Sequence, residues 1–177
     1  MALPKLNTAQ YELKVPSTGK TIEYRPFLVK EEKILLMALE GEEEKEMAKA
    51  IKQILSQCIL TENFKIDNLA LVDVEYIFLK VRGKAVGDKS KIFIVCTECE
   101  NKVEIELDLE EIKIDTHKDH TDLIKLTDDI QVRMVPPKME YLMATVSKNQ
   151  IDIVMDVIRD SISEIIQGKE VFSAQDH

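Results

Sequence analysis

The chain has 177 residues, 45% hydrophobic and 32% charged, enough for one domain with a real core or two small lobes sharing one. A net charge of −9 argues against a general binder of nucleic acid or anionic membrane, because both need excess Lys and Arg, and 5% aromatics without tryptophan disfavour base-stacking and sugar-binding platforms. No apolar run approaches the roughly 20 residues that cross a bilayer, the N-terminus lacks a secretion-signal pattern, and an odd three cysteines suit a reducing compartment, so a cytoplasmic protein is expected.

Tyr11-Glu12-Leu13-Lys14-Val15 alternates, Pro16-Ser17-Thr18-Gly19 supplies turn chemistry, and residues 20–25 return as a second strand. Ser17-Thr18-Gly19-Lys20-Thr21 resembles the end of a phosphate-binding loop. The full pattern needs a glycine at position 14, where Lys14 stands, so a hairpin turn and no nucleotide site is expected. Pro26 ends the strand, and a helix follows over 30–40, with Glu31 and Glu32 in the first turn, where the helix dipole favours anions. Gly41 ends it. A second helix, over 42–60, places Met47, Ile51, Ile54 and Cys58 on one stripe. Free cysteines are mostly buried, so Cys58 is expected in the core and not as a ligand or nucleophile. Asp67-Asn68 offers an N-cap for a third helix over 69–82, which Gly83 and Gly87 close.

Two β-type runs, 91–95 and 102–109, flank Cys96-Thr97-Glu98-Cys99. Val103, Ile105, Leu107 and Leu109 alternate with charged residues, as in a strand with one buried and one solvated face. The runs predict an antiparallel hairpin with both cysteines at its tip. From Glu98 to Asp122 there are ten acidic and three basic residues, a local net of −7. A polar loop over 113–122 carries His117 and His120. Two short strands follow over 123–126 and 130–135, then a short helix from Pro136-Pro137 through 146. A final helix over 150–166 aligns Ile151, Val154, Ile158, Ile162 and Ile165. The expected fold class is α+β: short antiparallel hairpins with about five helices, including the C-x-x-C-tipped hairpin. Residues 1–166 are expected as one domain, with 88–122 as a sub-lobe, and 167–177 as a polar tail.

A C-x-x-C at a hairpin tip is half of a tetrahedral zinc site, and His117 and His120 are the best remaining ligands for Cys96 and Cys99. The two-residue gap between the histidines is shorter than the usual three to five. Structural zinc and a pair of free thiols both remain open. Thioredoxin-type chemistry wants a helix after the motif, whereas an alternating strand follows Cys99. There is no second C-x-x-C, no H-E-x-x-H, no G-x-S-x-G and no glycine-rich loop between strand and helix. Neither enzymatic activity nor a small-molecule substrate is expected.

The string Leu13-Lys14-Val15-Pro16-Ser17-Thr18-Gly19-Lys20, followed by Tyr24-Arg25-Pro26-Phe27-Leu28-Val29-Lys30-Glu31-Glu32-Lys33-Ile34-Leu35-Leu36, resembles the baseplate hub assembly protein family of T4-like tailed bacteriophages. The likeness continues through Gln57-Cys58, Phe78-Leu79-Lys80-Val81-Arg82, the cysteine hairpin and Arg133-Met134-Val135-Pro136-Pro137. It implies a late, non-enzymatic protein that binds other hub components in the host cytoplasm during tail assembly, as a virion part or a chaperone. Family members are also expected to extend beyond the segment after Lys169, so a short relative or a truncated chain is expected. Arg25, Phe27 and Val29 are the candidate partner contacts, since aromatic and arginine residues dominate interface energetics. The competing expectation packs Phe27 and Val29 into the core and pairs Arg25 with a nearby glutamate. A small zinc-ribbon-like nucleic-acid-binding or regulatory protein is the alternative function, and the charge around the hairpin counts against it.

Overall fold

The structure is a computed structural model and describes residues 8–41, 44–115, 117–139 and 149–173. It opens on a hairpin of β1 (Tyr11–Lys14) and β2 (Thr21–Tyr24), with Leu13 opposite Ile22 and Tyr11 opposite Tyr24. Gly19 closes the turn at φ +67, a conformation open to a residue without Cβ. The alternation sends Ile22 and Tyr24 into the core.

Helices α1 (Val29–Glu40) and α2 (Glu44–Cys58) pack side by side. The apolar stripe of α2 buries Ile54, Leu55 and Cys58. Backbone bonds tie its end to β2: the Arg25 N–H donates to the Cys58 carbonyl at 2.9 Å, and the Leu60 N–H to that of Glu23 at 2.8 Å.

Asp67-Asn68, expected as an N-cap, lies in a 3-10 turn (Ile66–Asn68), and α3 (Leu71–Val86) starts after Ala70 without a side-chain cap. Burial of Ile66 and Leu69 fixes the entry in place of a polar cap. The helix also runs past Gly83, where it was expected to close. Gly83 is buried, and a Cβ there would make only an ordinary contact with the Leu109 Cβ at 3.7 Å, so nothing at that point forces the helix to end. Gly87, at φ +111, ends the helix.

β3 (Lys89–Val95) and β4 (Lys102–Asp108) pair antiparallel, and residues 96–101 connect them. One face carries Ile92, Ile94, Val103, Ile105 and Leu107. On the other, Lys89 pairs with Glu106 at 2.7 Å and Lys91 with Glu104 at 2.6 Å. The alternation predicts a buried apolar face, yet only Leu109, just beyond β4, is buried. Alternation decides which residues share a face, but burial needs a second layer, and no described element covers this one.

β5 (Leu123–Lys125), β6 (Ile130–Met134), β7 (Ile162–Gln167) and β8 (Glu170–Ser173) form an antiparallel sheet in that order. α4 (Gln150–Ser161) leads into β7 and touches it. Two expectations are corrected here. The helix predicted over 150–166 stops at Ser161, and Ile162–Gln167 is a strand with Ile165 opposite Val132. The isoleucines of this segment fit helical spacing, but their β-branched side chains also suit a sheet, and pairing with β6 decides. The tail expected over 167–177 carries β8, with Phe172 opposite Ile165 and Val171 opposite Ile166. Gly168, at φ +58, makes the tight loop between the two strands. Four α-helices lie among the described residues; the fifth expected helix, through 146, falls largely outside them. The sheet joins the helical body where the Leu71 N–H donates to the Pro137 carbonyl at 2.8 Å and Met139 enters the core.

Candidate functional site

The junction between β2 and α1 is built around a buried carboxylate. Glu31 is 0% exposed. Its Oε1 accepts from Arg25 Nη2 at 2.8 Å and lies 3.2 Å from Lys30 Nζ, and its Oε2 accepts from the Leu28 N–H at 2.8 Å. Burial pushes this carboxyl up, but the bonds from Arg25, Leu28 and Lys30 outweigh it and hold the pKa below the ordinary value. Arg25 also donates to the Pro26 carbonyl at 2.9 Å and lies 3.8 Å from Cys58 Sγ. Phe27 is 7% exposed and belongs to the core, whereas Val29 is 80% exposed at the start of α1. Of the three candidate contacts, Arg25 and Phe27 face inward and Val29 faces solvent. Leu36, Met37 and Leu39 extend the exposed apolar surface along α1.

Cys58 is 0% exposed, and burial pushes its thiol up to about 11 against the partial relief of Arg25. Burial of this kind disfavours the thiolate that a nucleophile or metal ligand needs.

The turn that resembles a phosphate loop is occupied by a carboxylate. The Ser17 N–H donates to Asp73 Oδ1 at 2.9 Å and the Ser17 hydroxyl to Asp73 Oδ2. Asp73 is itself buried in the first turn of α3. A phosphate in this turn would meet a negative charge. Lys80 is similarly committed: its ammonium donates to the Leu109 and Glu110 carbonyls, both at 2.9 Å, fastening the end of β4 to α3. Sequence patterns missed both roles. Asp73 looks like an ordinary first-turn acid, and Lys80 carries no motif at all.

At the hairpin tip the Cys96 N–H donates to the Asn101 carbonyl and the Glu100 N–H to the Cys96 carbonyl, each at 3.0 Å. Backbone N–H groups of Cys99 and Glu98, together with the Cys99 thiol, hold the Cys96 thiol below its ordinary pKa. The fold thus brings Cys96 and Cys99 together. His117 and His120 are exposed, with His117 Nδ1 3.7 Å from Asp119 Oδ2. Among the described residues no three His, Cys, Asp or Glu side chains converge on one metal position, so neither histidine joins the two thiols in such a group.

Buried charged groups among the described residues are all engaged in bonds that hold elements together, and no buried side-chain N or O atom lacks a partner. What remains available is apolar surface: α1, the β3–β4 face, and the Ile151, Val154, Met155 and Ile158 stripe of α4. No described helix is long and apolar enough to cross a membrane.

No curated protein and no solved structure matches the chain. A family model described as "T4 bacteriophage base plate protein" matches residues 8–177. With all but the first seven residues matched, the chain belongs to the T4 bacteriophage base plate protein family.

Proposed function

We propose that this protein is a non-enzymatic structural and assembly component of the baseplate hub, acting by binding other hub proteins during tail morphogenesis. The observation that carries the reading is the family match over 8–177, joined to the hub-like string around Tyr24-Arg25-Pro26-Phe27-Leu28. The distribution of chemistry supports it: the buried charged groups among the described residues are spent on internal ties, while apolar side chains lie exposed on α1, α4 and the β3–β4 hairpin. At the junction, Arg25 and Phe27 set the path of the chain, and the binding contact is made by Val29 with the neighbouring outer face of α1. Any zinc in the assembled protein is structural and held through Cys96 and Cys99, with ligands completed from elsewhere. The net charge of −7 from Glu98 to Asp122 weighs against the nucleic-acid alternative.

Mass spectrometry of purified virions beside tail-assembly intermediates tests the reading. The chain is expected in hub-containing intermediates. Its presence in finished virions too makes it a structural part, and its loss on completion makes it a chaperone. Absence from both overturns the proposal.

A further inference from the structure

We propose that the β3–β4 face formed by Ile92, Ile94, Val103, Ile105 and Leu107 docks another baseplate protein whose contact patch is apolar and rimmed by lysine and arginine. The inference rests on the assembly reading above and names the surface and the chemistry of its partner.

The register puts Ile92 opposite Ile105, Ile94 opposite Val103 and Ser90 opposite Leu107, so this face carries no charged residue. The ion pairs of Lys89 with Glu106 and Lys91 with Glu104 are confined to the other face. On this uncharged face Ile94 is 49% and Val103 54% exposed, while the opposite face mixes its ion pairs with the exposed Phe93 and Val95. A two-stranded sheet is marginal by itself and gains stability when its apolar face is covered. Among the described residues the bonds that tie the hairpin to α3 lie near its base, through the Lys80 bonds, the Leu109 N–H to the Asp88 carbonyl at 2.7 Å and Lys84 with Glu110 at 2.8 Å. Contiguous apolar surface of this kind marks an interaction site.

Charge selects the occupant. At the tip, Glu98 and Glu100 are exposed and carry no side-chain ion pair among the described residues, whereas Glu104, Glu106 and Glu110 are neutralised by Lys91, Lys89 and Lys84. Two copies packed through this face with their tips side by side would set Glu98 and Glu100 against the same residues, and like charges across an interface are unfavourable. A partner with basic residues around an apolar centre gains where a second copy loses.

Photo-crosslinking in purified baseplates and tail-assembly intermediates tests this, with p-benzoylphenylalanine replacing Ile94 or Val103 on the apolar face, or Lys91 on the opposite face. Crosslinked peptides are identified by mass spectrometry. The expected result is linkage from positions 94 and 103 to a different baseplate protein, in an apolar segment with excess Lys and Arg, about tenfold above position 91, as for side chains inside against outside an interface. Links to a second copy of this chain, links to an acidic or polar segment, equal yield from both faces, or no link overturn the docking surface while the assembly reading stands. Absence of the chain from baseplates and intermediates alike overturns both.

Discussion

Removing the Arg25 side chain would leave the Glu31 carboxylate buried, with Lys30 at 3.2 Å as its remaining cation. Breaking a buried pair in this way costs about 3–5 kcal/mol, and emptying the Phe27 site costs about as much. Arg25→Ala and Phe27→Ala are each expected to lower the thermal midpoint by roughly 10 °C, measured by calorimetry. Val29→Asp, on an exposed side chain, should leave the midpoint nearly unchanged and weaken hub association in co-purification. Cys58 gives a pH signature. Its thiol ionises near 9.0 when unfolded and near 11 when folded, so below pH 9 both states are protonated and stability does not depend on it. As pH rises from 9 through 11 the unfolded state ionises first, and ~3 kcal/mol of stability is lost. Cys58→Ala should cost ~1–2 kcal/mol at pH 7 and lack that alkaline loss, so in denaturant titrations the gap closes as pH rises and the variant becomes the more stable by about pH 11. Rapid alkylation of native Cys58 at pH 7 would contradict its burial.

The β3–β4 hairpin carries two distinct features. Its tip holds two thiols, and one of its faces is free of charge. A tetrahedral zinc site needs four ligands, and the described residues bring two thiols together. Elemental analysis of protein purified without added metal decides whether the pair holds zinc, and a ratio near zero removes the site. A ratio near one that survives the His117→Ala/His120→Ala double variant would show that further ligands come from another part of the chain or another subunit. At the end of the chain, β7 shows how one element can satisfy two periodicities. Ile158, Ile162 and Ile165 align on a helix, but the chain leaves α4 at Ser161, and the Val135 N–H donates to the Ser161 carbonyl at 2.7 Å. From there β6 and β8 hold β7 on both edges.

Across the whole molecule, buried charge is arranged for cohesion. Asp73 ties the first hairpin to α3, Glu31 ties β2 to α1, and Lys80 ties α3 to the end of β4. These bonds join elements up to 56 residues apart in the chain. The exposed apolar faces lie on α1, α4 and the β3–β4 hairpin. A protein that contacts several neighbours in a baseplate would use such separate faces, and their loss should be separable. An Ile151→Asp variant in α4 and the Val29→Asp variant should each impair hub assembly without lowering the thermal midpoint.

The sequence by itself determined the elements whose signals are local. Turn residues and period-two alternation specified the first hairpin, the missing glycine at position 14 removed the phosphate loop, and helical spacing specified α1, α2 and the buried place of Cys58. The family could also be recognised, because the Tyr24–Leu36 string is specific without being demanded by any local rule. Tertiary structure decided what depends on residues far away. Pairing with β6 made Ile162–Gln167 a strand, and pairing with β7 drew Glu170–Ser173 into the sheet. Contact with Glu31 and the core turned Arg25 and Phe27 inward, and the lack of a covering layer left the β3–β4 face open. Periodicity shows which side chains travel together; whether they meet water, a strand or a helix is set by the elements that pack against them.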